Sequence, residues 1–316
     1  MVNGVIVINK PKGVTSFKMV QWARKCFNIK RVGHTGTLDP IATGVLPLCI
    51  GRATKLVQFI MAGNKLYEGI IKLGVITDSY DAFGKIIEKR EISADINIET
   101  LKSIANTFIG KQMQVPPAYS AAKHRGIPLY KFARKGIVIK KEPREIEIFS
   151  FDILSLKGSE VSFRIYCTKG TYIRSIAHEF GLKLGCGAHL ASLTRIKSGP
   201  FSIDKAYTPK KIEEAITKGE LDKFLITEDE ALAHIPYVII PDDTATDLRQ
   251  GKGVSIALIE ELVEIQEVDT KTSSFLRLVK EKSYNNPENL ELVAIISWPP
   301  DTFNNTDRLK TLRVWV

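Results

Sequence analysis

Gly33-His34-Thr35-Gly36-Thr37-Leu38-Asp39-Pro40, continued by Ile41-Ala42-Thr43-Gly44-Val45-Leu46-Pro47, is the stretch on which everything else in this chain hangs. Glycines 33, 36, 44 and 51 and prolines 40 and 47 interrupt every period across residues 30–51, so the spacing predicts neither a helix nor a strand there. A long, punctuated loop inside a compact domain is usually functional. It holds one carboxylate, Asp39, and no other acid occurs in residues 1–67, whereas Arg31 and His34 precede it closely. An aspartate held on a rigid loop in a basic field stays ionised and suits covalent or acid–base chemistry. Asp-Pro is also a common turn opener, and the residues alone leave both readings open.

Outward from this loop, strands and helices alternate irregularly. Residues 4–9 form a β-rich apolar run stopped by Lys10-Pro11-Lys12-Gly13. Thr15 or Ser16 then caps a helix in which Phe17, Val20, Ala23 and Phe27 recur at helical spacing. A short helix over 54–61 leads to a strand over 65–73, with Tyr67, Gly69, Ile71 and Leu73 on one face. Residues 98–108 read as an amphipathic helix, and 145–156 with 161–167 as paired strands. Thr171 is placed to cap a helix to about residue 184, with Ile173, Ile176, Ala177 and Phe180 inward. Without tandem βαβ units, this predicts an α+β fold with a mixed, mostly antiparallel sheet. An acidic stretch over 218–236 reads as a linker. Beyond it come short β runs at 237–240, 262–267, 292–296 and 311–316, with a turn cluster at Tyr284-Asn285-Asn286-Pro287. The expected division is therefore 1–234 and 235–316, the second domain small and β-rich.

A length of 316 residues agrees with two domains or one large domain with an appendage, and 44% apolar with 25% charged residues is the globular average. No apolar run reaches the roughly 18 residues that span a bilayer, and residues 1–12 lack the pattern of a secretory signal. Cys26, Cys49, Cys167 and Cys186 are scattered, which suggests a reduced, cytoplasmic protein without a metal site. Charge is divided unevenly. Residues 1–200 carry 31 Lys and Arg against 14 Asp and Glu, and the remainder 14 against 21. So basic a body points to a polyanionic partner, nucleic acid in the common case.

The motif around Asp39 resembles the signature of the TruB-type tRNA pseudouridine synthases, and the likeness extends in family order over about residues 4–200. Asn9-Lys10-Pro11-Lys12-Gly13 with Thr15-Ser16 is similar to the family's opening motif, and Lys65-Leu66-Tyr67 with Gly74-Val75-Ile76-Thr77-Asp78 to its second. Val115-Pro116-Pro117-Ala118-Tyr119-Ser120-Ala121 resembles its third. Lys169-Gly170-Thr171-Tyr172-Ile173-Arg174-Ser175 and Gly185-Cys186-Gly187-Ala188-His189-Leu190 resemble the last pair. The resemblance implies a pseudouridine synthase catalytic domain followed by a PUA-like β domain. It implies isomerisation of uridine 55 in the tRNA T-arm, by base flipping and carbon–carbon rejoining, without cofactor or metal.

The resemblance also assigns residues. Asp39 falls on the catalytic aspartate, Tyr67 on the ring that stacks against the target base, and Arg174 on the arginine that pairs with the aspartate. His34 falls on a histidine that fills the place vacated by the flipped nucleotide; Lys10 and Tyr172, within the motifs, join it as expected RNA contacts. By residue pattern alone Tyr67 reads first as a core aromatic on the face it shares with Ile71 and Leu73; a surface cation is the alternative reading of Arg174, and a bonded loop residue that of His34. Residues 123–144 carry eight Lys and Arg and one Glu and resemble the insertion that closes on the T-stem. Lys123, Arg125, Lys131, Arg134 and Lys135 are the expected phosphate contacts. The expected partner is tRNA, gripped by a monomer with no obligatory protein partner and no membrane. In the last 80 residues only Leu248-Arg249-Gln250-Gly251-Lys252 supports the PUA-like reading, in a region whose acidity is unusual for RNA binding.

Overall fold

The computed structural model describes residues 2–139, 141–270, 273–281, 290–299 and 311–314. The chain divides into two compact units, Met1–Glu228 and Asp229–Val316.

Among the described residues of the first unit, nine strands form one sheet. Seven run across it in the order Gly4–Lys10, Ala42–Ile50, Ala188–Ser198, Lys65–Leu73, Glu160–Cys167, Arg144–Lys157 and Gly110–Gln114. Val32–His34 pairs with the second of these and Phe201–Ser202 with the third. One contact is parallel, Leu193–Arg195 against Ala42–Gly44, and the others are antiparallel, giving the expected mixed, mostly antiparallel α+β fold.

Local sequence explains most of these elements. In Lys65–Leu73 the buried residues include Tyr67, Ile71 and Leu73, which keep the period of two. A Cβ on Gly69 would stand 2.5 Å from the Ser192 carbonyl, so only glycine lets the neighbouring strand approach there. In Arg144–Lys157 the buried face switches from Ile146 and Ile148 to Phe151 and Ile153. The register shift at Ile148/Ser150 is a bulge that re-aims the strand without breaking it. Thr15 is the helix cap, accepting from the Lys18 amide.

Several expectations are corrected. The 30–51 loop contains Val32–His34 and the nine-residue strand Ala42–Ile50. Pro47 accepts from the Thr35 amide, and its partner Val7 on the Gly4–Lys10 strand accepts from the Tyr207 amide, so the ladder needs no donor at Pro47. Gly44, at φ +96°, sits where a Cβ would lie 2.3 Å from the Arg195 carbonyl. Both strand breakers are thus strand residues for tertiary reasons. Phe17 is 58% exposed; the buried stripe of its helix is Ser16, Met19, Val20 and Ala23. The later helix is Ile173–Lys183, with Tyr172 at the cap, while the Thr171 hydroxyl donates to the Thr168 carbonyl. In the 218–236 stretch Ile226 exchanges backbone hydrogen bonds with Val5, so part of the expected linker is bound to the sheet edge.

The second unit has a sheet ordered Tyr237–Ile239, Phe275–Glu281, Leu290–Ser297, Thr311–Val314, with helices Asp242–Arg249 and Ile256–Ile265. The run 262–267, expected as a strand, is the last turn of the second helix to Ile265, followed by the cap at Gln266 and a turn. The Ala, Leu and Glu content of that helix favours it, and Ile259 supplies the buried contact. Tyr284-Asn285-Asn286-Pro287 lies outside the described residues.

Candidate functional site

The Asp39 loop is fastened from three directions. Ser16 Oγ donates to the Leu38 carbonyl at 3.0 Å and accepts from the Leu38 amide at 2.8 Å. The Gly13 amide donates to the Pro40 carbonyl at 2.7 Å, tying the opening Lys-Pro-Lys-Gly turn to the loop. Arg195, 1% exposed, donates from Nε to the Val45 carbonyl and from Nη2 to the Gly36 carbonyl. A short loop fixed this firmly keeps its carboxylate in one place, which is what positioning a reacting group demands.

Arg174 reaches that carboxylate from the helix Ile173–Lys183. Its Nε donates to Asp39 Oδ2 at 2.8 Å; the arginine side chain is 3% exposed and the aspartate 34%. The rest of the guanidinium is engaged by the carbonyls of Ser79 (3.1 Å) and Tyr119 (2.8 Å) and by Asp81 Oδ2 at 3.6 Å. Buried on one side and open on the other, the ion pair leaves one face of Asp39 for a ligand.

That face looks into a cavity of about 320 Å³. Asp39 is the one acid among its described lining residues, beside five cations: Lys65, Arg144, Lys169, Arg174 and Arg195. Tyr67 and Tyr172 also line it. Burial pushes the Tyr67 phenol above its ordinary value, opposed by Arg195, which reaches its hydroxyl. The phenol therefore stays neutral and presents an apolar ring. The volume is at the low end of the range for ligand sites, about 300–1,000 Å³, which suits a single extruded nucleotide.

The structure thus brings Asp39, Tyr67, Arg174 and Tyr172 to one cavity. Lys10 lies behind it, fully buried, with Nζ donating to the carbonyls of Val14 and Pro11 at 2.6 and 2.9 Å. Burial lowers its pKa to about 8, with Asp39 raising it and Arg195 lowering it. His34 is also outside the lining. Its Nδ1 accepts from the Gly36 amide at 3.3 Å, and burial, aided by Arg195, lowers its pKa so that the ring is neutral at pH 7. Lys123, Arg125, Lys131, Arg134 and Lys135 are all exposed, away from the cavity lining, and Arg134 stands over the Tyr130 ring at 5.3 Å. Among the described residues, no group of three or more His, Cys, Asp or Glu is arranged to hold a metal ion. No helix among them is long and apolar enough to cross a membrane.

Comparison with known proteins identifies the family. The TruB family pseudouridylate synthase N-terminal domain matches residues 24–173, and the tRNA pseudouridylate synthase B C-terminal domain matches residues 174–233. The tRNA pseudouridine synthase B of Francisella philomiragia subsp. philomiragia is 49% identical over 249 residues, 79% of this chain and 82% of that one. That of Syntrophotalea carbinolica is 37% identical over 265 residues, 84% of this chain and 86% of its own.

The chain belongs to the TruB family of pseudouridylate synthases.

A solved structure of a Cbf5-Nop10-Gar1 complex contains a similar chain, with TM-score 0.72 and 25% identity, covering 98% of this chain and 84% of that one. In this TruB-family enzyme the two family matches meet at residues 173 and 174. Asp39 and Tyr67 belong to the first, and Arg174 opens the second.

Arg195, Asp81, Lys65 and Leu193 were not legible as site residues. Arg195 and Leu193 lie on a strand whose period the sequence hides, and Asp81 reads as an ordinary turn acid. Lys65 is 5% exposed, its Nζ held by the Gly63 and Met61 carbonyls at 2.5 and 3.4 Å. Burial, reinforced by Arg195, lowers its pKa to about 7. Between that value and the ordinary 10.5 the unfolded chain binds more protons, so this residue makes stability rise with pH above 7. The stability of Lys65→Met relative to wild type should therefore fall by about 2 kcal/mol from pH 7 to pH 9. Urea unfolding at both pH values measures it, and a pH-independent difference would contradict the assignment.

Proposed function

We propose that this enzyme converts uridine 55 in the T-arm of tRNA to pseudouridine, with Asp39 as the reacting carboxylate. The observation that carries the proposal is a single, partly open acid held by a buried arginine in a cavity whose other charged lining residues are cations. Cations suit the phosphates of an everted nucleotide, and the Tyr67 ring offers the stacking that the base loses on leaving its helix. The glycosidic C1′–N1 bond breaks, the uracil turns, and C5 bonds to C1′; C5 loses a proton and N1 gains one. Asp39 serves either by attacking the anomeric carbon or by removing a sugar proton, and both roles need the ionised carboxylate. The names of the relatives support tRNA as substrate. The cytoplasm and a stand-alone monomer belong to the same proposal, as does a PUA-like role for the second unit. In that unit Arg249 and Lys252 are engaged by Glu291 and Asp247 at 2.7 and 2.6 Å, which leaves RNA gripping chiefly to the first.

The test is to map pseudouridine in tRNA incubated with the purified chain. Conversion at position 55 supports the proposal, and conversion elsewhere alone would refute it. A second reading is a catalytic subunit that needs partners, favoured by the fold shared with a chain crystallised in a complex. Inactivity on bare T-arm RNA, rescued by added partner proteins, would establish that reading instead. The exposed basic segment favours the first. Lys131→Ala and Arg134→Ala should each weaken tRNA binding and flatten the plot of log K against log salt by about 0.7–0.9. Neither should change which uridine is modified, because shape and the flipped base carry that choice. Titrations at several salt concentrations, with the modified site mapped, check both points.

A further inference from the structure

The turn of residues 78–81 supplies two partners of Arg174, the Ser79 carbonyl and the Asp81 carboxylate. Between them stands Tyr80 at φ +64°, a left-handed conformation that is rare for an aromatic residue and persists only where the surroundings over-determine it. Its ring stacks on His178, with centroids 3.9 Å apart and planes 11° from parallel. His178 lies one helical turn beyond Arg174 on the helix Ile173–Lys183, so both residues project from one face. The helix thus grips the turn at two rungs, by the guanidinium and by a ring.

Backbone bonds do not replace the second rung. Leu190 donates to the Tyr80 carbonyl and Ala82 to the Leu190 carbonyl, both at 2.9 Å, which fixes the turn against the Ala188–Ser198 strand. The Tyr80 amide, in the same peptide as the Ser79 carbonyl, donates to the Thr77 carbonyl at 3.2 Å, a bond internal to the turn; the stack is what ties this peptide to the helix that carries Arg174. The Nδ1 atom of His178 is buried with no hydrogen-bond partner among the described residues. The ring's bond to the Ala188 backbone goes to the neighbouring strand and not to the turn, so its contribution to the turn is its flat face.

We propose that the Tyr80–His178 stack is a positioning pair: it holds the 78–81 turn so that Ser79 and Asp81 fix the Arg174 guanidinium, and through it Asp39. The inference rests on Asp39 being the reacting carboxylate. Neither ring lines the cavity around Asp39.

Full-length wild type, His178→Ala, His178→Phe and Tyr80→Asn are compared on a tRNA transcript for single-turnover rate and for tRNA Kd. Asparagine tolerates the left-handed backbone but cannot stack in this way. His178→Ala and Tyr80→Asn should each react about tenfold more slowly, because a small displacement of a positioned group costs rate before binding. Their Kd should stay within about twofold of wild type, while His178→Phe, which keeps the flat face, should react within about threefold of it. A rate for His178→Phe as low as that of His178→Ala would overturn the stacking role. Unchanged rates in both His178→Ala and Tyr80→Asn would overturn it too, as would a Kd that rises in step with the loss of rate. Should His178→Ala fail to fold, Tyr80→Asn and His178→Phe decide the matter. A wild-type chain that makes no pseudouridine would instead overturn the functional reading beneath it.

Discussion

Asp39→Ala and Asp39→Asn should bind tRNA almost as wild type does and lose more than roughly 10⁴-fold in single-turnover rate, the scale on which removal of a reacting group registers. The asparagine keeps the shape of the side chain and removes its charge, so equal losses in the two variants would assign the effect to the carboxylate. Folding should survive both. The Asp39 side chain is 34% exposed, so water can take its place, and Arg174 retains the Ser79 and Tyr119 carbonyls and Asp81. The expected change in stability is about 1 kcal/mol, the scale of one partly exposed charge-assisted hydrogen bond. Release of the proton from C5 of labelled uridine gives the rate, and a filter-binding titration gives the affinity. If Asp39→Ala and wild type convert uridine equally, the carboxylate has no part in the chemistry. The chain would then be better read as an RNA-binding or RNA-folding module, for which an acid facing the RNA is only a hindrance.

How much of this site the sequence reveals depends on the kind of order each residue obeys. The face shared by Tyr67, Ile71 and Leu73 and the cap at Thr15 follow from local rules, and they stand as read. The strand Ala42–Ile50 does not, because Gly44 and Pro47 break local rules that a neighbouring strand makes harmless. The strand Ala188–Ser198 is hidden for a related reason. It is buried near the middle of the sheet, so it lacks the alternation that marks a half-exposed strand, and it carries a buried arginine besides. Arg195 is invisible as a site residue because its meaning lies in carbonyls some 150 positions away. Ser16 reads as an alternative helix cap, while its hydroxyl in fact clasps both polar atoms of Leu38. What the local pattern misses is the set of long-range hydrogen bonds that hold the loop still.

Arg174 tests the same architecture from below. Arg174→Ala removes a 3%-exposed cation; Asp81, 8% exposed, keeps the Ser79 hydroxyl and the Phe83 amide but loses its counter-charge, and the Ser79 and Tyr119 carbonyls lose their donor. Removing one partner of a buried ion pair costs about 3–5 kcal/mol, which for a unit of this size lowers the melting midpoint by about 10 °C. Arg174→Lys should recover part of that stability and little of the activity. One ammonium cannot span the Asp39 carboxylate, two carbonyls and Asp81 in the fixed fork that a guanidinium provides. Its rate should remain down by about 10²-fold, the scale of losing an oriented charge beside a reacting group. Melting curves and single-turnover rates measured on the same preparations separate the two effects. Asp39 variants should lose rate at nearly full stability, and Arg174 variants should lose both. That asymmetry follows from burying the cation and leaving the acid open, so an Arg174→Ala chain that melts like wild type would mean the arginine is not the foundation on which Asp39 rests.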